Sequence, residues 1–91
     1  MTLTGDSVPR WARGVRLRED AARGRWVILA PERLFEPDET ALTVLRLIDG
    51  TRTVDQIVET LAADFDAPHA EIEADVMSLL RELAMCHVIA A

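Results

Sequence analysis

Residues 14–20 read GVRLRED and residues 23–35 read RGRWVILAPERLF, and these two stretches decide the fold. In the first stretch apolar residues alternate with arginines, which is the period-two pattern of a half-buried strand. The second stretch contains a continuous apolar run over residues 26–29, as expected for the middle strand of three. The proline after this run favours a tight turn, and a third strand follows over residues 33–36. The sequence therefore predicts a three-stranded antiparallel meander.

The remainder of the chain predicts helices only. Asp38 is a suitable N-cap for a first helix, which we expect to end before Gly50. Thr53 begins a second helix, because it forms a capping-box pattern with the glutamine three residues later. Pro68 ends that helix and allows a third one, which runs to about Cys86. We therefore predict an α+β, winged-helix-like fold, with an N-terminal three-stranded sheet followed by a three-helix bundle.

The length of 91 residues predicts a single domain. Residues 1–9 show little periodicity and are predicted to be a mobile tail, so the domain is expected to span residues 10–91. Cys86 is the only cysteine, which excludes an internal disulfide bond. The chain has neither the apolar stretch of a secretory signal nor a run of about 20 apolar residues, so we expect a cytoplasmic protein with no membrane partner.

The net charge of −6 is unevenly distributed. Residues 1–33 hold seven arginines and four acids, whereas residues 34–91 hold three arginines and twelve acids. The second predicted helix and the turn after it contain four acids and no cation, and this surface would repel phosphates. The charge pattern therefore argues against nucleic-acid binding. The arginines of the first two strands fit either an acidic protein partner or a solvated face of the sheet.

The residues that most often carry catalysis do not form a recognisable site in the sequence. His69 lies at a helix start, and Cys86 and His87 are adjacent near the end of the third helix. A metal site needs three or four suitably spaced ligands, and the chain shows no phosphate-binding glycine loop. We predict no catalytic residue, metal or cofactor, so a small metal-dependent enzyme is the least favoured hypothesis.

Two features predict a binding role instead. The third strand lies at a sheet edge, and an unpaired edge is a template for an incoming extended peptide. On the third helix a core stripe about 100° wide is widened to roughly 180° by three further apolar residues. Either the second helix or a second copy of the chain covers this extra surface, or it forms a binding groove. The stripe consists of Ile72, Val76, Leu79, Leu80 and Leu83, and the additions are Met77, Ala84 and Cys86.

Four stretches of the sequence together resemble one protein family. They read GVRLRED, ARGRWVILAPERLF, ETALTVLRLIDGTRTVDQIV and IEADVMSLLREL, and the similarity spans about residues 9–89. The family is the peptide chaperone of pyrroloquinoline quinone (PQQ) biosynthesis, commonly called PqqD. This chain departs from the family pattern at Pro37 and Asp38, where the family often has Leu-Asn, and at His87, where it usually has glycine.

The resemblance implies a non-catalytic recognition element for a ribosomally made, post-translationally modified peptide (RiPP). Such a chaperone binds the leader of the precursor peptide, PqqA, and presents it to a radical S-adenosylmethionine (SAM) enzyme of the PqqE type. That enzyme cross-links a Glu and a Tyr of the precursor. An acidic winged-helix adaptor that binds other proteins is the alternative function.

The resemblance also implies where the peptide binds, as a strand added to the third strand in a groove against the third helix. Backbone pairing is assigned to residues 33–36, and a charge contact to Arg81. Alternation along the strand allows only one of the pairs Leu34/Glu36 and Arg33/Phe35 to face the groove. The free edge also permits strand exchange, so either a monomer or a homodimer is compatible with the sequence. The complete predicted site is Arg33, Leu34, Phe35, Glu36, Val76, Met77, Leu80, Arg81 and Ala84.

Overall fold

The computed structural model describes residues 2–91, which form five strands and three helices. This is the predicted α+β architecture, with helices after an antiparallel sheet. In chain order the elements are β1 (Arg10–Trp11), β2 (Arg16–Asp20), β3 (Arg25–Ala30), β4 (Arg33–Phe35), α1 (Glu39–Leu45), α2 (Val54–Phe65), α3 (His69–Met85) and β5 (Ile89–Ala90).

The predicted meander is confirmed as a three-stranded antiparallel sheet in the order β2-β3-β4. Leu17, Ile28 and Phe35 are aligned across its strands and form the face that packs against the core. The turn between β3 and β4 has only two residues, Pro31 and Glu32, and Glu32 takes a positive φ of 61°. Proline followed by a residue of positive φ is characteristic of a type II turn.

The predicted helix starts are confirmed by their hydrogen bonds. The Asp38 carboxylate accepts from the Ala41 N–H at 2.7 Å and caps α1. At α2 the Thr53 hydroxyl accepts from the Gln56 N–H, while the Gln56 side chain accepts from the Thr53 N–H. These reciprocal bonds form a complete capping box, which satisfies two N–H groups that lack partners within the helix.

The predicted end of α1 is corrected by the structure, because the helix ends at Leu45 rather than just before Gly50. The chain continues in two tighter turns, in which Leu47 N–H donates to Val44 O and Ile48 N–H donates to Leu45 O. Ile48 nevertheless remains buried in the core, at 5% exposure. The apolar pattern therefore predicted burial correctly and helix length incorrectly.

Asp49 organises the junction between α1 and α2. Its Oδ1 accepts hydrogen bonds from the backbone N–H groups of Arg52 and Thr51 and from the Thr51 hydroxyl, at 2.9–3.0 Å. These bonds lower the pKa of Asp49 from 3.8 to about 2, because they stabilise the ionised carboxylate. The bond from the Arg52 N–H has the largest effect. The junction therefore has its own polar anchor, which positions α2 relative to α1.

The core lies between one face of the three-stranded sheet and the helices. It is almost entirely aliphatic, as the composition predicts, and none of its buried side chains is charged. Burial of such side chains contributes about 1.5–3 kcal/mol each, which makes this layer the main source of stability. The buried cluster consists of Leu3, Ile28, Val44, Leu45, Ile48, Val54, Ile57, Val58, Leu61, Val76, Leu80, Val88 and Ile89.

His87, at the position where the family usually has glycine, lies just after the end of α3. His87 has a φ of 61°, in the left-handed region that glycine adopts most easily. Val88 N–H donates to Leu83 O at 2.9 Å and His87 N–H donates to Ala84 O at 3.0 Å. This bonding pattern is a Schellman-type helix end, which turns the chain into β5.

The sequence pattern did not predict how the two ends of the chain are placed. β1 pairs antiparallel with β5 in a separate two-stranded sheet, and Leu3 is only 8% exposed within the core. Gly5 O and Ser7 O also accept from the first backbone N–H groups of α2. The predicted mobile tail covers residues 1–9, of which Met1 lies outside the described residues. Its mobility stays a prediction, but residues 3–7 contact the helices.

Candidate peptide-binding site

The outer edge of β4 is the first component of the site. No strand pairs with this edge among residues 2–91. The two-residue turn makes Ala30 and Arg33 a hydrogen-bonded pair, so the next pair, Leu29 and Leu34, is not hydrogen-bonded. The N–H and C=O groups of Leu34 therefore point away from β3. They provide one donor and one acceptor for an incoming strand.

The two faces of β4 have different surroundings, and these show which pair of alternate residues faces the helices. Phe35 packs against the core, and the Arg33 guanidinium lies 5.3 Å from its ring centroid. Leu34 points to the opposite face and is 58% exposed, while Glu36 accepts from Arg25 at 3.1 Å. The Arg33/Phe35 pair therefore faces the helices, and the Leu34/Glu36 pair faces away from them.

Helix α3 has two flanks with different neighbours. The sheet flank, defined by Ile72, Leu79, Leu83 and Cys86, spans an arc of about 60° at 100° per residue. It contacts β4 at its C-terminal end, where Arg33 Nη2 donates to the Cys86 carbonyl at 2.7 Å. Ile72, Leu79 and Leu83 are half-buried against the core, so part of their apolar surface is accessible.

The N-terminal flank of α3 consists of Met77, Arg81 and Ala84, centred about 160° from the sheet flank. These residues share two surface clefts with the beginning of the chain. Arg81 and Ala84 line one cleft with Thr2 and Leu3. Met77 and Arg81 line another with Gly5 and Asp6. The N-terminal segment therefore covers part of this flank, and the apolar arc of α3 is wide because it packs in two directions.

The predicted site residues are thus only partly brought together. Residues 33–36 lie beside α3, as expected, but the structure places Met77, Arg81 and Ala84 on the other flank of the helix. Val76 and Leu80 lie between the flanks and are 1% and 0% exposed, so they belong to the core. Whether any of these residues contacts a peptide stays a prediction.

Three residues of the sheet flank were not among the predicted site residues, namely Ile72, Leu79 and Leu83. The sequence placed them in the core stripe, and nothing in their spacing distinguishes them from Val76 or Leu80. The contact that identifies this flank joins Arg33 to Cys86, which are 53 positions apart. Only the tertiary structure provides that information.

Other kinds of site find no support in the part of the chain that the structure describes. Within residues 2–91, no three His, Cys, Asp or Glu side chains are grouped so that they could hold a metal ion. No helix in that range is long and apolar enough to cross a membrane. The strongly lowered pKa of Asp49 belongs to the α1–α2 junction.

Comparison with known sequences identifies the family. The sequence model described as "Coenzyme PQQ synthesis protein D (PqqD)" matches residues 25–89. The chain belongs to the PqqD family. A relative in Xanthomonas oryzae pv. oryzae (strain KACC10331 / KXO85), called "PqqA binding protein", is 52% identical over 82 residues. The match covers 90% of this chain and 89% of the relative.

Solved structures of PqqD proteins share the fold. One is the solution NMR structure of the PqqD truncation of Methylobacterium extorquens PqqCD, described as a functional, stand-alone RiPP recognition element. It is 47% identical with a TM-score of 0.82, covering 99% of this chain and 96% of that one. The crystal structure of PqqD from Xanthomonas campestris is also 47% identical, with a TM-score of 0.62 and coverage of 99% and 100%. The winged-helix-like α+β fold expected from the resemblance is thereby confirmed.

Proposed function

We propose that this PqqD-family chain binds the leader of the precursor peptide PqqA and presents it to a radical SAM enzyme, without catalysing a reaction itself. The name of the Xanthomonas oryzae relative supports PqqA as the ligand. The description of the Methylobacterium protein as a RiPP recognition element supports a binding role. The comparisons offer no support for the alternative of an acidic adaptor.

The proposed binding mode is addition of the leader as a strand to β4. The observation that carries it is the unpaired backbone of Leu34 beside the half-buried sheet flank of α3. Main-chain hydrogen bonds provide affinity in this mode, and alternate side chains of the peptide enter the groove. Those side chains meet Phe35 and the apolar residues of the sheet flank, so the groove selects apolar residues at alternate positions of the leader.

Binding is tested by titrating a fluorescein-labelled PqqA peptide with this protein and measuring fluorescence anisotropy. We expect saturable binding of PqqA and much weaker binding of a scrambled peptide of the same composition. The scrambled peptide is the matched control because it has the same charge and hydrophobicity. Equal affinity for both peptides contradicts recognition of the leader.

Presentation to the enzyme requires a separate experiment with the purified radical SAM enzyme, SAM and a reductant. Joining a Glu carbon to a Tyr carbon removes one hydrogen from each, so mass spectrometry detects the product as a loss of two hydrogen atoms. We expect this loss only when PqqA, the enzyme and this protein are all present. Product formed equally well without this protein contradicts presentation, whereas product formed without the enzyme contradicts the non-catalytic role. Location in the cytoplasm and oligomeric state stay predictions.

A further inference from the structure

A further cleft, lined mostly by apolar residues, lies near the N-terminal end of α3, between all three helices. This helix cleft has a volume of about 410 Å³. Phe65 is the most exposed of the large apolar residues that line the cleft, at 57% exposure. It is the last residue of α2, and the other large apolar residues of that helix are buried. Phe65 therefore adds exposed apolar surface to a cleft whose floor consists of core residues. Its apolar walls are Val44, Leu61, Phe65, Ile72 and Val76.

The rim of the helix cleft is acidic. Glu39 and Asp75 line it, and no Arg or His is among its lining residues. The chain that forms α2 and most of α3 is also acidic, since residues 53–80 contain seven acids and neither Arg nor Lys. A potential of one sign around an apolar cleft favours ligands of the opposite charge. The cleft therefore fits an apolar side chain that has a cationic neighbour.

The helix cleft and the contact of β4 with α3 lie at opposite ends of α3. Arg33 contacts Cys86 at one end of the helix, and Glu39 lies in the same cleft as Asp75 towards the other. Six residues of extended chain from Arg33 to Glu39 span up to about 20 Å. The eleven residues from Asp75 to Cys86 rise about 16 Å along the helix. The two segments run alongside each other in opposite directions, so a strand added to β4 leads towards the cleft.

We propose that the helix cleft is a second recognition subsite, which binds a large apolar side chain of the leader next to a Lys or Arg. This inference rests on the proposed function, because the occupant is the peptide bound along β4. In strand addition the main-chain hydrogen bonds provide affinity, and pockets for individual side chains provide specificity. The cleft supplies the chemical selection, with an apolar pocket for one side chain and Glu39 and Asp75 for the adjacent cation.

The test fills the cleft and measures PqqA affinity by anisotropy. Thr43 lines the cleft and is half-buried, so Thr43→Trp places an indole ring inside it. We expect this variant to bind PqqA about tenfold more weakly or worse, because an excluded apolar side chain loses its burial. Ala63→Trp is the matched control, since Ala63 is exposed and does not line the cleft. We expect it to bind within about twofold of the wild type.

Three further measurements make the outcome decisive. If Thr43→Trp does not fold, Phe65→Ala removes one exposed wall of the cleft and is expected to lower affinity in the same direction. An alanine scan of PqqA should find a large apolar residue whose replacement weakens binding to the wild type but not to Thr43→Trp. Asp75→Asn should weaken binding more at low salt than at high salt, whereas Glu73→Gln, beyond the cleft, should have little effect.

Two results overturn the proposal in distinguishable ways. If wild-type protein binds PqqA and Thr43→Trp and Phe65→Ala bind equally well, the cleft is not a subsite but the proposed function stands. If wild-type protein does not bind PqqA, the proposed function fails and this inference fails with it.

Discussion

The two flanks of α3 differ in what covers them. The N-terminal flank lies beside residues 2–6, and Leu3 from that segment is buried in the core. The sheet flank lies beside β4, a strand whose outer edge has no partner among the described residues. A wide apolar arc alone therefore does not identify a binding groove. The proposed groove is on the flank where apolar surface lies next to the outer edge of β4.

The largest effect is expected from Leu34→Pro, which removes the outward N–H of β4. The hydrogen bonds from β4 to β3 remain, since they come from Arg33 and Phe35, and proline is tolerated at such edge positions. The ring also obstructs an incoming strand. We expect PqqA affinity to fall about 100-fold, because a peptide carbonyl is left without its donor. Fluorescence anisotropy measures the change.

Leu34→Ala is the matched control for this variant. It removes the same exposed side chain but keeps the N–H, and we expect its affinity to remain within about threefold of the wild type. Equal losses in both variants would show that the Leu34 side chain, rather than the backbone edge, is what the peptide contacts.

The next largest effect concerns the other flank. Leu3→Ala removes a side chain that is 8% exposed in the core, and we expect it to lower the free energy of unfolding by about 2 kcal/mol. Urea denaturation followed by circular dichroism measures this. Because Leu3 lies on the N-terminal flank, PqqA affinity should stay within about twofold of the wild type under conditions where the variant is folded. A folded Leu3→Ala variant that loses affinity as strongly as Leu34→Pro would place the peptide on the N-terminal flank. That result would contradict binding along β4.

A smaller effect of opposite sign is expected at the end of α3. His87 occupies a left-handed conformation, so His87→Gly should raise the free energy of unfolding by about 1 kcal/mol. Thermal denaturation detects the gain, and His87→Ala, which keeps the strain, is the control. A His87→Gly variant no more stable than His87→Ala would contradict strain in the left-handed conformation. A His87→Gly variant more stable than His87→Ala but no more stable than the wild type would show that contacts of the imidazole offset the strain.

The smallest effect is expected at Asp49, which lies on neither flank. Its pKa of about 2 in the folded protein is below the ordinary 3.8, so its contribution to stability is present above pH 4 and is lost as the pH falls towards 2. We expect Asp49→Asn to be less stable than the wild type above pH 4, with a difference that shrinks by pH 2. Urea midpoints at pH 2 to 6 measure it. A difference independent of pH would contradict the lowered pKa, and PqqA affinity at pH 7 should be unchanged.

Local features of the fold are predictable from the sequence. Alternation and a continuous apolar run predicted β2 and β3, and Pro31 predicted the turn to β4. The caps at Asp38 and Thr53 form as predicted, because each bond joins residues only three positions apart. Such interactions depend on neighbours along the chain, which the sequence shows directly.

Features that depend on distant parts of the chain were not predictable. The β1–β5 pair joins residues near the two ends, and its strands are too short to show a periodic pattern. Leu3 is a single apolar residue in a polar segment, so its burial has no sequence signal. For the same reason the helical wheel of α3 gave the width of the apolar arc but not which flank faces β4. The predicted site therefore combines residues from both flanks of α3, and which of them contact a peptide stays a prediction.

The most direct test of strand addition to β4 is an NMR titration of the protein with PqqA, which follows methyl and amide signals. We expect large shifts of the Leu34 amide and of the methyl groups of Ile72, Leu79 and Leu83, while the methyl groups of Met77 and Ala84 remain unchanged. Large shifts of Met77 and Ala84 with an unperturbed Leu34 amide would contradict strand addition to β4 and place the peptide against the N-terminal flank.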